Sequence, residues 1–100
     1  MIIYSITYAI DTTIENEWIE YMNSTHIPLI MNTGCFSSFQ HTRIIPEQGH
    51  DLAFNIQFSC ANLNNLDNYL DEKKESDESE LNQKYQGKFA SFFTKLEKLN

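Results

Sequence analysis

His26 is the side chain best placed for acid/base work. It follows Ile14, Trp18 and Met22 at intervals of four, so it falls at the end of one apolar helical stripe. There the negative end of a helix dipole favours an imidazolium. Such a histidine can move a proton, or it can cap the helix by bonding a backbone carbonyl; with no fixed partner in the sequence, the capping role is favoured. His41 and Arg43 share the parity of an extended segment and could present a cation pair to a carboxylate or enolate, or stand as edge charges. Tyr4 and Tyr8 share another row, where hydroxyls can orient a ligand, although core tyrosines bonded to backbone are commoner. Cys35 and Cys60 lack CxxC spacing and read as buried thiols. His26, His41 and His50 show neither HxxxH nor HExxH spacing, so no metal site is expected. Nor is a cofactor, since no Gly-rich phosphate loop or GxSxG elbow is present.

The elements that must carry these groups follow from periodicity. Ile2, Tyr4, Ile6, Tyr8 and Ile10 alternate with Ile3, Ser5, Thr7 and Ala9, which predicts a strand over Ile2 to Ile10. Thr12 with Glu15 forms a capping-box pattern for a helix that should end near His26, because Pro28 disfavours the α region at Ile27. Pro28 then suits the start of a short turn, Leu29 to Asn32, with Gly34 as its terminator. Cys35 to Ile45 reads as a second strand, Pro46-Glu47-Gln48-Gly49-His50 as a hairpin loop, and Leu52 to Cys60 as a third strand. Asn62 can cap a second helix with apolar positions Leu63, Leu66, Tyr69 and Leu70, resumed at Leu81 and Tyr85. Ser76 or Asp77 could recap it after a break in the acidic stretch. Gly87 ends the helix, and Lys88 to Leu99 makes the fourth strand.

The chain's 100 residues form one domain, 1–100, able to bury roughly 65% of its unfolded surface. The order βαββαβ predicts the ferredoxin-like α+β fold, a four-stranded antiparallel sheet with two helices on one face. The net charge of −7 is concentrated: Asp11, Glu15, Glu17 and Glu20 give −4 with no base, and residues 71–80 give another −4. Acidic helix faces repel phosphate backbones, and Arg43 is the only arginine, so neither nucleic acid nor an anionic membrane is an expected partner. The N-terminal run lacks the basic and apolar regions of a signal peptide or membrane span, which suggests a cytoplasmic protein.

On the sheet face opposite the apolar rows, Ser5, Thr7, Ala9, Ala53, Asn55, Gln57 and Ser59 carry no charge. A solvated face normally recruits Lys and Glu, so small neutral groups suit one covered by another copy or wrapped around a ligand.

Met1-Ile2-Ile3-Tyr4, Trp18 with Met22, His26-Ile27-Pro28, Thr33-Gly34 with Phe36, Gly87-Lys88-Phe89 and Thr94 together resemble a small bacterial family known only as domain of unknown function 4286, within the dimeric α+β barrel group. The resemblance implies a homodimer with sheets packed face to face, and a small cavity between sheet and helices or inside the barrel. Taken with the residues themselves, the reading is of a small-molecule-binding or assembly module, with Tyr4, Trp18, Met22, His26, His41 and Arg43 as candidate ligand contacts. Some members of that group carry a histidine in this corner for cofactor-independent oxygenation or isomerisation. The alternative it offers is therefore an enzyme acting on a small aromatic or carbonyl compound with His26 as acid/base. Phe93 before Thr94, where arginine is common, and Glu75-Ser76-Asp77 depart from the family pattern, so no anion site is carried over.

Overall fold

The computed structural model describes residues 1–46 and 52–100. β1 (Ile2–Ile10) lies between β3 (Leu52–Cys60) and β4 (Phe89–Glu97), and β2 (Ser38–Ile44) pairs with the outer side of β3, giving the order β2-β3-β1-β4. Every pairing is antiparallel. The helical layer consists of α1 (Glu15–Tyr21), a π-helical turn (Met22–His26) and α2 (Ile27–Met31), then α3 (Leu63–Glu72) and α4 (Lys74–Lys84). This is the expected ferredoxin-like α+β architecture.

Period two in β1 and β3 sorts the side chains cleanly. Tyr4, Ile6, Tyr8 and Ile10 pair across the sheet with Phe58, Ile56, Phe54 and Leu52, and this row meets Trp18, Met22, Ile27 and Ile30 from the first helical layer, and Leu66, Tyr69, Leu81 and Tyr85 from the second, in one core. The opposite face has four positions on each strand. They are Ile3, Ser5, Thr7 and Ala9 on β1; Ala53, Asn55, Gln57 and Ser59 on β3; Ser38, Gln40, Thr42 and Ile44 on β2; and Ala90, Phe92, Thr94 and Leu96 on β4. None is charged. At its centre the Asn55 amide donates to Ser5 Oγ at 3.0 Å, Ile6 O at 3.2 Å and Thr7 Oγ1 at 3.2 Å, binding β3 to β1 through side chains as well as backbone.

Several boundaries differ from the sequence-based expectation. Asp11, not Thr12, caps the first helix: its Oδ1 accepts from Thr13 N at 2.9 Å and Thr13 Oγ1 at 2.7 Å, and a 3-10 turn over Thr12–Ile14 precedes α1. The capping box fails in register, since with Asp11 as cap the third helical position is Ile14, and Glu15 pairs instead with Arg43 of β2. The helix does not end near His26. Ile27 keeps helical angles, φ −62° and ψ −47°, and its N–H bonds back to Met22 O, an i to i−5 link. That wide turn accommodates Pro28, which lacks the N–H that would continue the regular ladder. The helix runs to Met31, and Gly34, at φ +78°, closes the following turn.

β2 starts at Ser38 rather than Cys35, because the Gly34 turn holds Cys35 out of the ladder. The second helix does break, at Lys73 (φ −125°, ψ −25°) and not at Ser76 or Asp77. Asp77 is otherwise engaged, its Oδ2 accepting from Tyr69 Oη at 2.9 Å and fastening α4 to α3. Asn62 caps α3 as expected, accepting from Asn65 N at 2.9 Å. Gly87, at φ +75°, turns the chain into β4. Of the hairpin expected at Pro46 to His50, residues 47–50 lie outside the described residues.

Candidate functional site

His26 is fully buried within the π turn, and neither ring nitrogen has a hydrogen-bond partner among the described residues. Its ring stacks against Tyr21, with centroids 6.5 Å apart and planes at 22°. Desolvation by burial lowers its pKa from 6.5 to about 4. This reverses the expectation of a dipole-stabilised imidazolium. The helix continues past His26 to Met31, so the imidazole is not at the negative helix end, and burial favours the neutral ring. The capping role is not observed either, since no carbonyl bonds the ring.

Other enclosed polar atoms share this condition. Tyr8 Oη, Trp18 Nε1 and Tyr85 Oη are also buried without a partner among the described residues. Their rings form a connected row that leads to His26: Tyr8 to Trp18 is 5.2 Å, Trp18 to Tyr85 5.4 Å, and Tyr85 to Tyr21 5.7 Å. Burial raises the pKa of Tyr8 and of Tyr85, so both phenols stay protonated donors at neutral pH. The arrangement is an apolar, aromatic interior with a line of unanswered donors and a neutral imidazole. Buried groups of this kind are ordinarily satisfied by hydrogen bonds, to protein or to enclosed water.

The six candidate ligand contacts do not meet in one place. Trp18, Met22 and His26 lie in the buried helical stripe. Tyr4 belongs to a separate aromatic group, 5.4 Å from Phe93, 6.0 Å from Tyr69 and 6.1 Å from Phe36. Its hydroxyl is held protonated by burial. His41 and Arg43 sit on the helix-facing side of β2, opposite Ile56 and Phe54, and border a shallow hollow of about 240 Å³ with Ile19 and Asn23. His41 Nδ1 lies 2.8 Å from Asn23 Oδ1, and as donor in that bond it leaves Nε2 as the acceptor of a neutral imidazole. Desolvation lowers the His41 pKa, in keeping with that form. Arg43 is paired with Glu15 and lies 5.2 Å from the Phe54 ring centroid, so its charge is already answered.

Cys60 is buried as expected, but Cys35 is half-buried in the Gly34 turn. No group of three or more His, Cys, Asp or Glu side chains gathers as a metal site among the described residues. No helix among them is long and apolar enough to cross a membrane. Sequence reasoning missed the Glu15–Arg43 pair and the row of unpartnered donors. Alternation placed Tyr8 and helical spacing placed Trp18 and Tyr85, but only the packing of α4 against α1 joins them.

The sequence profile described as Domain of unknown function (DUF4286) matches residues 1–99. The chain belongs to the DUF4286 family. No curated protein sequence matches it. Among solved structures, this DUF4286 chain is similar to an ethyl tert-butyl ether d (EthD) family protein from Bacillus halodurans c-125, with TM-score 0.74 and 16% identity, covering 99% of this chain and 100% of that one. HapK from Hahella chejuensis superposes with TM-score 0.72 at 11% identity, covering 100% of this chain and 94% of HapK. A dimeric ferredoxin-like protein from an uncultured marine organism gives TM-score 0.73 at 10% identity, with 99% and 96% covered. At these identities the likeness establishes the fold alone.

Proposed function

We propose that this DUF4286 chain is a homodimeric assembly module whose two sheets pack through their uncharged faces. The observation that carries this reading is the face itself. It has no charged side chain at any of its four positions on each strand, yet Phe92 is 65% exposed and Ile44 and Leu96 are each 40% exposed. A permanently solvated sheet of this kind is an aggregation hazard, whereas a second copy would bury it. The similar protein described as dimeric adds support from outside the chain. Light scattering at micromolar concentration tests it: twice the 11.7 kDa chain mass is the expected result, and a mass of one chain that persists on concentration overturns it.

A second reading adds a ligand. What supports it is the unpartnered groups of Tyr8, Trp18, His26 and Tyr85, which a small polar guest between sheet and helices would satisfy. A neutral His26 would then be its hydrogen-bond partner, or the acid/base group of a cofactor-independent enzyme. A thermal-shift screen of phenolic, lactone and enolisable compounds tests this reading. Retained fold with lost turnover in His26→Asn would identify the enzyme, and no stabilising compound in the screen counts against a guest. That nucleic acid and anionic membranes are not partners belongs to the same proposal, supported by acidity concentrated on the helical surfaces, and a cytoplasmic setting is proposed with it.

A further inference from the structure

The chain's two cysteines are distant in sequence, yet they border one hollow of about 320 Å³ at an end of the sheet, together with Met1. Both thiols are free. Cys60 closes β3 from the inward row, its Sγ 3.5 Å from Asn62 O. Cys35 follows Gly34 and is half-buried, so the hollow is reachable from solvent. Gly34 keeps the approach open, since no heavy atom stands within 4 Å of the point where a Cβ would sit. The remaining polar members of the lining, Ser37 and Asn65, are neutral, and no carboxylate or imidazole borders the hollow.

We propose that Cys35 and Cys60, with the thioether of Met1, form a binding site for a soft monovalent cation of the Cu(I) class. Hard cations such as Mg²⁺ or Ca²⁺ need several anionic or carbonyl oxygens, and this lining supplies no anionic oxygen. Thiolate and thioether sulfur instead select Cu(I), which is satisfied at low coordination number. On binding, each thiol releases a proton to solvent as its Cu–S bond forms; the metal enters and remains as Cu(I), and no electrons change hands. Cys60 belongs to the helix-facing row, so its thiol lies away from the uncharged face of the proposed dimer.

The test is an anaerobic titration of the reduced protein against Cu(I) held by the coloured chelator bathocuproine disulfonate. One Cu(I) withdrawn per chain is the expected result. Cys35→Ser and Cys60→Ser should each weaken binding by at least the roughly 10–100-fold that loss of mere outer-shell support costs a metal site. Circular dichroism melts check folding, and Cys35→Ser, at the half-buried position, keeps the test decisive if Cys60→Ser unfolds. X-ray absorption at the copper edge of selenomethionine-labelled protein should show selenium beside sulfur. Chelator that keeps its copper against excess protein, or folded variants that withdraw copper as well as the parent does, overturns the proposal; copper bound by sulfur without selenium overturns the role of Met1.

Discussion

A buried neutral histidine makes stability depend on pH in a definite direction. His26 has a folded-state pKa of about 4 against 6.5 for the free side chain, so between these values the unfolded chain binds the extra proton. The contribution is complete above pH 6.5 and is lost as pH falls toward 4, by about 3 kcal/mol in total. Urea denaturation of the parent should therefore weaken across that window, and His26→Gln should flatten the slope, leaving the same-sign contribution of His41 and the opposing one of Glu78, whose carboxyl pKa burial raises. Trp18, fully buried between Tyr8, Tyr85 and Phe89, is an anchor of a different kind. Trp18→Ala should cost about 3–5 kcal/mol, and an unchanged denaturation midpoint would contradict its place in the core. The burial of both residues was legible in their spacing. The charge state of His26 was not, because it depends on where the helix ends and on how completely the packed chain encloses the ring.

The first helical layer shows why spacing alone misjudged its end. Ile14, Trp18, Met22, His26 and Ile30 recur every four residues and are all buried. Four residues of regular α-helix turn about 400°, overshooting by about 40° each time, so a straight rod would carry this stripe out toward solvent. The wider π turn at Met22–His26 slows that drift and returns Ile27 and Ile30 to the sheet. β1 and β3 were legible to the residue because alternation is a strong local signal with both faces defined. β2 and β4 were read too long, since pairing on one side sets the limits of an edge strand. Gly34 provides a clean test of turn geometry. Its φ of +78° disfavours a side chain although space is open, so Gly34→Ala should cost about 1 kcal/mol of backbone strain in chemical denaturation, and an unchanged midpoint would show that the turn relaxes.

At the scale of the molecule, charge and apolar surface are segregated. The acidic stretches lie on the helical layer, and the far face of the sheet is neutral. Two chains each carrying −7 repel at long range, so the proposed dimer should tighten as salt rises from low to physiological ionic strength. Phe92→Glu would bury a charge at that contact and should give a folded monomer by light scattering. Ser5, Thr7 and Asn55 announced a neutral face from the sequence, but Phe92 and Leu96 joined it only through the register of β4 with β1. The same face bears on how the chain is made in a cell. Until it meets its twin, a newly synthesised copy presents a neutral surface bounded by two edge strands, β2 and β4, unpaired on their outer sides among the described residues. In that interval it is open to sticking to any other unfinished polypeptide, so crowding and the pace of translation decide how much reaches its soluble form.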